Sequence, residues 1–290
     1  MLNYVLAEPL GDPDVRHSLV AVLALSLSAA PVGVFLMLRR MSLVGDAVSH
    51  AILPGVAVGF LAGGLSIITM TIGGIVAGIA VALLSGLITR MTEIQEDASL
   101  AVFLLLSLAL GIVIVTINGI DAARLMDFLF GEAEAKMSAE KLLVIAANTT
   151  ISLVALALVY RPLVLECVDP HFLRSVSPAG GMAHFVFLGV LVLNLVSGFH
   201  ALGTLLGVGI MIVPAAISRF WVRDVSGLVA VSAGSALVSG IAGMLMSFYT
   251  HVPAGPAVTL VAGALYCASV VFGPVGGLLW RWVSGRHLEA

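Results

Sequence analysis

The chain has 290 residues, of which 60% are hydrophobic and 10% are charged, with a formal net charge of −3. A soluble domain carries about 25% charged residues, so this composition excludes water as the main solvent and leaves no stretch for a soluble catalytic domain. The sequence contains no run of Lys or Arg, which excludes a nucleic-acid-binding surface. We therefore predict one transmembrane domain over residues 1–290.

The apolar segments predict an all-α protein with eight or nine transmembrane helices. A membrane helix needs roughly 17 to 25 apolar residues. Six segments meet this length, near 18–38, 67–90, 99–118, 139–160, 225–248 and 256–280. Three shorter segments lie near 47–62, 184–198 and 202–218; all three contain Gly, and the first and third also contain Pro. Broken or re-entrant helices occur at membrane depth only where protein or a water-filled cavity solvates the backbone, so the short segments are the better candidates for a pathway.

The basic residues predict a multi-pass inner-membrane protein with a cytoplasmic C-terminus. If all nine segments cross and the N-terminus lies outside, nine of the 13 basic residues fall in the cytoplasm. These nine are Arg39, Arg40, Arg90, Arg161, Arg174, Arg219, Arg223, Arg281 and Arg286. The remaining basic residues are Arg16, Arg124, Lys136 and Lys141. This asymmetry agrees with the positive-inside rule.

The longest predicted cytoplasmic connection covers about residues 161–183. Within it, Asp169 followed by Pro170 is typical of a helix N-cap and first helical residue, and Gly180 with Gly181 would end that helix. The sequence contains no GxxxxGK[ST] motif, so the chain has no Walker-type ATP site of its own. An ATP-driven activity would need a separate ATPase subunit.

The first short segment contains two ionisable residues that could bind a metal. Asp46 and His50 are four residues apart, which places them on one face of a helix that Pro54 interrupts. A carboxylate and an imidazole suit zinc or manganese, and ionisable groups in apolar segments are candidates for function. Alternatively, Asp46 is the N-cap of this helix and His50 a hydrogen-bonded neighbour. Zinc sites use about four ligands, so two copies of the pair on a twofold axis would favour a homodimer.

Two further histidines are secondary candidates for metal ligands. His200 lies among small residues, and His251 lies two residues before Pro253. Both are expected near the outer face. A single histidine in such a setting also commonly serves as a hydrogen-bonded polar residue, and this alternative stays open for both.

Three blocks of sequence resemble the zinc and manganese permease family of ATP-binding cassette importers. The first and most specific is RRMSLVGDAVSHAILPGVAVGF at residues 39–60, with a Gly-Asp-x-x-x-His-Ala core. The second is GTLLGVGIMIVPAAISRF at residues 203–220, and the third is PAGPAV at residues 253–258. Their order and spacing resemble the family over nearly the whole chain.

The resemblance implies a permease subunit that imports a divalent transition metal and catalyses no reaction itself. It implies that Asp46 and His50 coordinate the transported metal, and that no cofactor is bound permanently. The implied partners are a second copy of the chain in the membrane, a periplasmic or surface metal-binding protein and a cytoplasmic ATP-binding cassette ATPase. The implied ATPase-coupling residues are Asp169, Pro170, Phe172, Leu173 and Arg174.

The metal and the transport class have alternatives. His251 stands where many family members have an acid, and His200 where other polar residues are common. Imidazole favours zinc over manganese, so zinc is the first predicted cargo, with manganese or iron as alternatives. Outside this family, a proton-coupled secondary carrier would use Asp46 and His50 as a proton relay, and a membrane scaffold would use them only to satisfy one another.

Overall fold

The computed structural model describes residues 11, 13–41, 44–64, 66–92, 96–119, 137–168 and 179–280. Ten α-helices lie in these ranges: α1 (Pro13–Leu38), α2 (Val44–Ala51), α3 (Leu53–Gly63), α4 (Ile67–Met91), α5 (Glu96–Ile117), α6 (Ala139–Val168), α7 (Ala179–Leu202), α8 (Thr204–Ser218), α9 (Val225–Thr250) and α10 (Ala254–Phe272). These ranges contain no β-strand, and the all-α prediction is confirmed.

Seven of the described helices are long and apolar enough to cross a membrane, namely α1, α4, α5, α6, α7, α9 and α10. Two shorter apolar stretches, Ala47–Gly63 and Leu206–Ser218, accompany them. This set confirms the predicted polytopic fold of long spans and broken segments. Lipid offers no hydrogen-bond partners to the backbone, whereas a helix pairs its own N–H and C=O groups. A long apolar segment in lipid therefore forms a helix, and apolar composition alone predicts these elements well.

In the predicted connection of about 161–183, the first eight residues continue α6 as a helix and the last five begin α7. Gly180 and Gly181 therefore lie inside a helix, although their pattern predicts a helix end. The extra turns of α6 are anchored by Leu163, which is fully buried. Residues 169–178 lie outside the described ranges.

Helices α1 and α7 form the centre of the bundle. In each of them 72% of the most apolar 18-residue window is buried, compared with 22% in α5. α1 contacts α6, α7, α8 and α9, and α7 also contacts α2 and α4. Phe35 of α1 packs edge-to-face against Phe187 of α7 and Tyr160 of α6, with ring centroids 6.3 and 5.9 Å apart. Large apolar side chains remain exposed on α4 and α5, as expected for helices that face lipid.

Long-range contacts at the two ends of the bundle show how the central helices run. At one end, His17 Nδ1 of α1 lies 3.3 Å from the carbonyl oxygen of Met137, just before α6. At the other end, Arg39 follows α1 and contacts Glu166 of α6 and His184 of α7. α1 is therefore parallel to α6 and antiparallel to α7. We call the end that contains Arg39 the inner end and the end that contains His17 the outer end.

A sharp reversal at Gly203 joins α7 to α8. Gly203 has a φ of 94°, a conformation that residues with a Cβ rarely adopt. The two helices then pack so closely that a Cβ on Gly198 would collide with the backbone of Gly207. At the far end of α8, the Val275 N–H donates to the carbonyl of Phe220 at 2.8 Å. The segment predicted as short at 184–198 is part of α7, a helix of 24 residues that is long enough to cross a membrane, whereas 202–218 corresponds to α8, a helix of 15 residues. The described chain traverses the bundle nine times if α2 and α3 count as one passage.

Candidate functional site

Asp46 and His50 lie on α2, a helix of two turns. They are its third and seventh residues, so helical geometry places them on one face and one turn apart, as predicted. Because α2 begins at Val44, Asp46 lies inside the first turn rather than at the N-cap. A carboxylate in the first turn is stabilised by the positive end of the helix dipole. The side chain of Asp46 lies outside the described part of the structure, and that of His50 is partly buried.

The helical hydrogen-bond ladder is interrupted directly after α2, although Ile52 keeps helical dihedral angles. α2 ends at Ala51 and α3 begins at Leu53, with Pro54 in the first turn of α3. Proline has no N–H that could donate to the carbonyl four residues earlier, which here belongs to His50. The break that the sequence predicts is therefore confirmed, one turn beyond the candidate ligand.

One face of α2 packs tightly against the surrounding helices α4, α5, α7 and α8. Val44, Val48 and Ala51 on this face are no more than 1% exposed. Gly45 approaches α8 so closely that a Cβ there would lie 2.7 Å from Cε of Met211. The first sequence block, which contains α2, therefore meets the second block, which contains α8, in the core of the bundle.

An adjacent face of α2 continues into α3 as a stripe that the single chain leaves partly uncovered. Ala47, His50 and Pro54 are partly buried, and Val58 is exposed. Spacings of three and four residues place these side chains along one side of a helix. The stripe of residues 47, 50, 54 and 58 is therefore the accessible face of this broken segment, and it contains the candidate ligand His50.

His200 connects two helices near the outer end. It is buried in α7, with its Nδ1 2.7 Å from the carbonyl oxygen of Val196 and its Nε2 2.8 Å from the hydroxyl oxygen of Thr71 in α4. A carbonyl only accepts, so Nδ1 donates to Val196. Both ring nitrogens of His200 therefore contact protein oxygens in this conformation. Sequence reasoning did not identify Thr71, which lies 129 residues away along the chain and carries no local signal.

His251 lies on the surface at the outer end, where the sequence places it. It follows α9 as the C-cap residue and has a left-handed φ of 55°. Its side chain is exposed. The main role visible for this residue is to end α9 before Pro253.

The candidate histidines lie at different depths in the bundle. His200 contacts Thr71 of α4, whereas Ile52, two residues after His50, packs against Gly74 and Gly78 of α4. These two glycines lie three and seven residues beyond Thr71, about 5 and 10 Å along a helix axis. In the described part of the chain, no group of three or more His, Cys, Asp or Glu side chains could hold a metal ion. Among the described side chains, His200 and His50 therefore do not belong to such a group.

The predicted ATPase-coupling residues, Asp169, Pro170, Phe172, Leu173 and Arg174, all lie outside the described residues. The structure does show the two helices on either side of them. α6 ends at Val168 and α7 begins at Ala179, and both of these ends lie at the inner end of the bundle.

Seven long apolar helices, together with the shorter apolar stretches Ala47–Gly63 and Leu206–Ser218, are the architecture of a multi-pass membrane protein. The chain belongs to the ABC 3 transport family, whose model matches residues 12–273. It is the membrane permease of an ABC metal importer and a multi-pass protein of the bacterial plasma membrane. The resemblance predicted from the three sequence blocks is thus confirmed, and the secondary-carrier and scaffold alternatives are set aside.

Relatives with curated names cover almost the whole chain. It is 29% identical over 288 residues to the manganese transport system membrane protein MntC of Halalkalibacterium halodurans, covering 99% of this chain and 97% of the relative. It is 29% identical over 284 residues to the zinc transport system membrane protein TroC of Treponema pallidum, covering 96% and 95%. Among solved structures, PsaBC from Streptococcus pneumoniae in complex with Fab matches with a TM-score of 0.80 at 23% identity, over 98% of this chain and 100% of that chain. The structural match supports the fold.

Proposed function

We propose that a divalent transition metal crosses the membrane between two copies of this chain, bound by Asp46 and His50 of each copy. The observation that carries this proposal is the partly uncovered stripe on α2 and α3, which contains His50. A twofold axis beside this stripe would bring the two pairs together and supply four ligands, about the number that a zinc site uses. The proposed metal is cargo rather than a resident cofactor.

Zinc and manganese are both candidates for the cargo. The zinc prediction relied partly on His200 and His251, which lie away from α2, so the choice now depends on Asp46 and His50. A carboxylate with an imidazole suits both metals. The names of the relatives support both as well, with manganese for MntC and zinc for TroC. Competition between the two metals during uptake would identify the preferred one.

We propose two partners besides the second copy. A metal-binding protein outside the membrane delivers the cargo to the outer end, and a cytoplasmic ATPase binds the inner end and supplies the driving force. The lack of a Walker motif in this sequence and its membership of an ABC family support a separate ATPase. The expected contact is the segment 169–178, between α6 and α7.

Uptake by site variants tests the metal site. Asp46→Asn removes a charge at constant size and His50→Ala removes the imidazole, so each should reduce uptake per folded dimer to background in proteoliposomes that contain both partners. Ser49→Ala is the matched control, because Ser49 is a buried residue of the same helix that lies outside the stripe, and its uptake should be normal. Normal uptake by both Asp46→Asn and His50→Ala would reject the site and make His200 the next candidate.

Copurification tests the proposed ATPase contact. Replacing both Phe172 and Leu173 with Asp should abolish copurification of the ATPase, because two charges would enter an apolar contact. The amount of permease in the membrane should stay unchanged. Phe172→Leu keeps the residue apolar and should retain the ATPase. Retention by the double Asp variant would place the interface elsewhere.

A further inference from the structure

A cluster of polar side chains joins three helices at the inner end. Arg39 Nη2 donates to Glu166 Oε2 at 2.5 Å, and Nη1 lies 3.0 Å from His184 Nδ1. The carbon of the guanidinium group lies 4.7 Å from the ring centroid of Phe187. The Arg39 and Glu166 side chains are only 9% and 15% exposed. We call Arg39, Glu166, His184 and Phe187 the inner cluster.

The chemistry of the inner cluster requires arginine. A guanidinium group only donates hydrogen bonds, so Nδ1 of His184 accepts in this contact and the ring carries its proton on Nε2. The planar fork of Arg39 reaches a carboxylate and an imidazole at the same time, and its face stacks on Phe187. A lysine would present one compact charge and could not make these three contacts together.

The position of the cluster along the chain connects the two proposed sites. Glu166 lies two residues before the end of α6, and His184 lies in the second turn of α7, so the cluster holds the two helices that flank the segment 169–178. Arg39 follows α1 and lies five residues before the start of α2, which contains Asp46. The cluster therefore links the segment expected to contact the ATPase to the helix expected to bind the metal.

We propose that Arg39 is a positioning residue that transmits movement of the segment 169–178 to α2, an inference that rests on the proposed function. A buried ion pair favours one geometry because separating the partners leaves an uncompensated charge in a poorly hydrated site. The inner ends of α1, α6 and α7 therefore move as one body. When the ATPase displaces the segment 169–178, the inner ends of α6 and α7 move and Arg39 moves with them. Because Arg39 lies shortly before α2, this movement shifts α2, the helix proposed to bind the metal.

The ratio of metal uptake to ATP hydrolysis tests this role. Arg39→Lys keeps the positive charge but loses the planar guanidinium group with its two Nη donor nitrogens. Glu166→Gln keeps the size and a hydrogen-bond acceptor but loses the negative charge. In proteoliposomes with both partners, each variant should bind the ATPase and hydrolyse ATP as the wild type does, while uptake per ATP falls about five-fold or more. Arg40→Lys, which changes the exposed neighbouring arginine, should leave this ratio unchanged.

Two results would overturn the proposal. Unchanged uptake per ATP in both variants, with a lower melting temperature, would make the cluster only an anchor for the fold. Loss of ATPase binding by Arg39→Lys would make it part of the docking surface. Failure of the metal site is distinguishable, because it would show as normal uptake by Asp46→Asn whatever the Arg39 variants do.

Discussion

At the scale of single residues, the three candidate histidines differ in their surroundings. His50 lies on the partly uncovered stripe of α2, His251 is exposed after α9, and His200 is buried between α7 and α4. The contacts of His200 with Thr71 and Val196 resemble those of a residue that stabilises the bundle, since a buried polar group must find partners within the protein. Of the three, His50 is the one that lies on the stripe used by the proposed metal site.

The role of His200 can be tested by comparing stability with transport. His200→Ala should destabilise the folded protein by about 1–3 kcal/mol, because a buried hydrogen bond to Thr71 is lost. Uptake per folded dimer should remain normal. Thermal unfolding in detergent measures stability, and uptake in proteoliposomes measures transport. Thr71→Val removes the hydroxyl that contacts His200 and should likewise lower stability and leave uptake per folded dimer normal. Loss of uptake at unchanged melting temperature would instead identify His200 as a ligand.

At the scale of the helices, the beginning of α9 shows how a local signal defines an element. Asp224 is the N-cap, and its Oδ2 accepts from the Gly227 N–H at 2.7 Å and from the Ser226 hydroxyl at 2.8 Å. These donors lower the pKa of the Asp224 carboxyl below its ordinary value, the Gly227 N–H having the larger effect. The ionised carboxylate is therefore the form that stabilises the first turn of α9.

The pH dependence of the Asp224 cap follows from this lowered pKa. Because the folded-state pKa lies below the unfolded one, the stabilisation is fully present above the ordinary pKa of Asp and is lost as pH falls through the lowered value. Asp224→Ala should therefore lower the melting temperature at pH 7, and the difference from wild type should shrink below about pH 4. Asp224→Ser, which caps without a charge, should retain most of the stability at pH 7. A difference between wild type and Asp224→Ala that grows on acidification would contradict this account.

At the scale of the whole molecule, the bundle has two chemically different ends. The inner end contains Arg39 and the inner cluster, and the outer end contains His17 and the contact of His200 with Thr71. Helices α1 and α7 occupy the centre, and α4 and α5 expose apolar side chains as lipid-facing helices do. This arrangement agrees with a permease that receives cargo at one end and is driven from the other.

The orientation of the bundle predicts where reporters will be active. If all nine passages cross the membrane and the N-terminus lies outside, as the distribution of basic residues predicts, the C-terminus lies in the cytoplasm. A reporter that is active only in the periplasm should be silent when fused to the C-terminus. The same reporter inserted after Asn118, between α5 and α6, should be active. The reverse pattern would show that the positive-inside assignment is wrong.

The sequence by itself determined the all-α class, the position of the long apolar helices, the interruption at Pro54 and the one-turn spacing of Asp46 and His50, but left eight or nine spans open. These features depend on local composition and helical geometry, because each membrane helix satisfies its own backbone within one segment. The family was also readable from the three sequence blocks, which lie in order along the chain.

Only the tertiary structure decided which helices are central and which polar residues meet. Arg39 contacts Glu166 across 127 residues, and Thr71 contacts His200 across 129. Neither contact is visible as a pattern in the sequence. Apolar segments of similar composition predict helices, but they do not indicate which helix faces pack together. The true length of α6 was hidden for the same reason. Pro162 is a residue that often ends a helix, yet α6 continues beyond it to Val168. Burial of Leu163 and the contact of Glu166 with Arg39 stabilise this last part of α6. Both interactions exist only once α1, α6 and α7 are assembled.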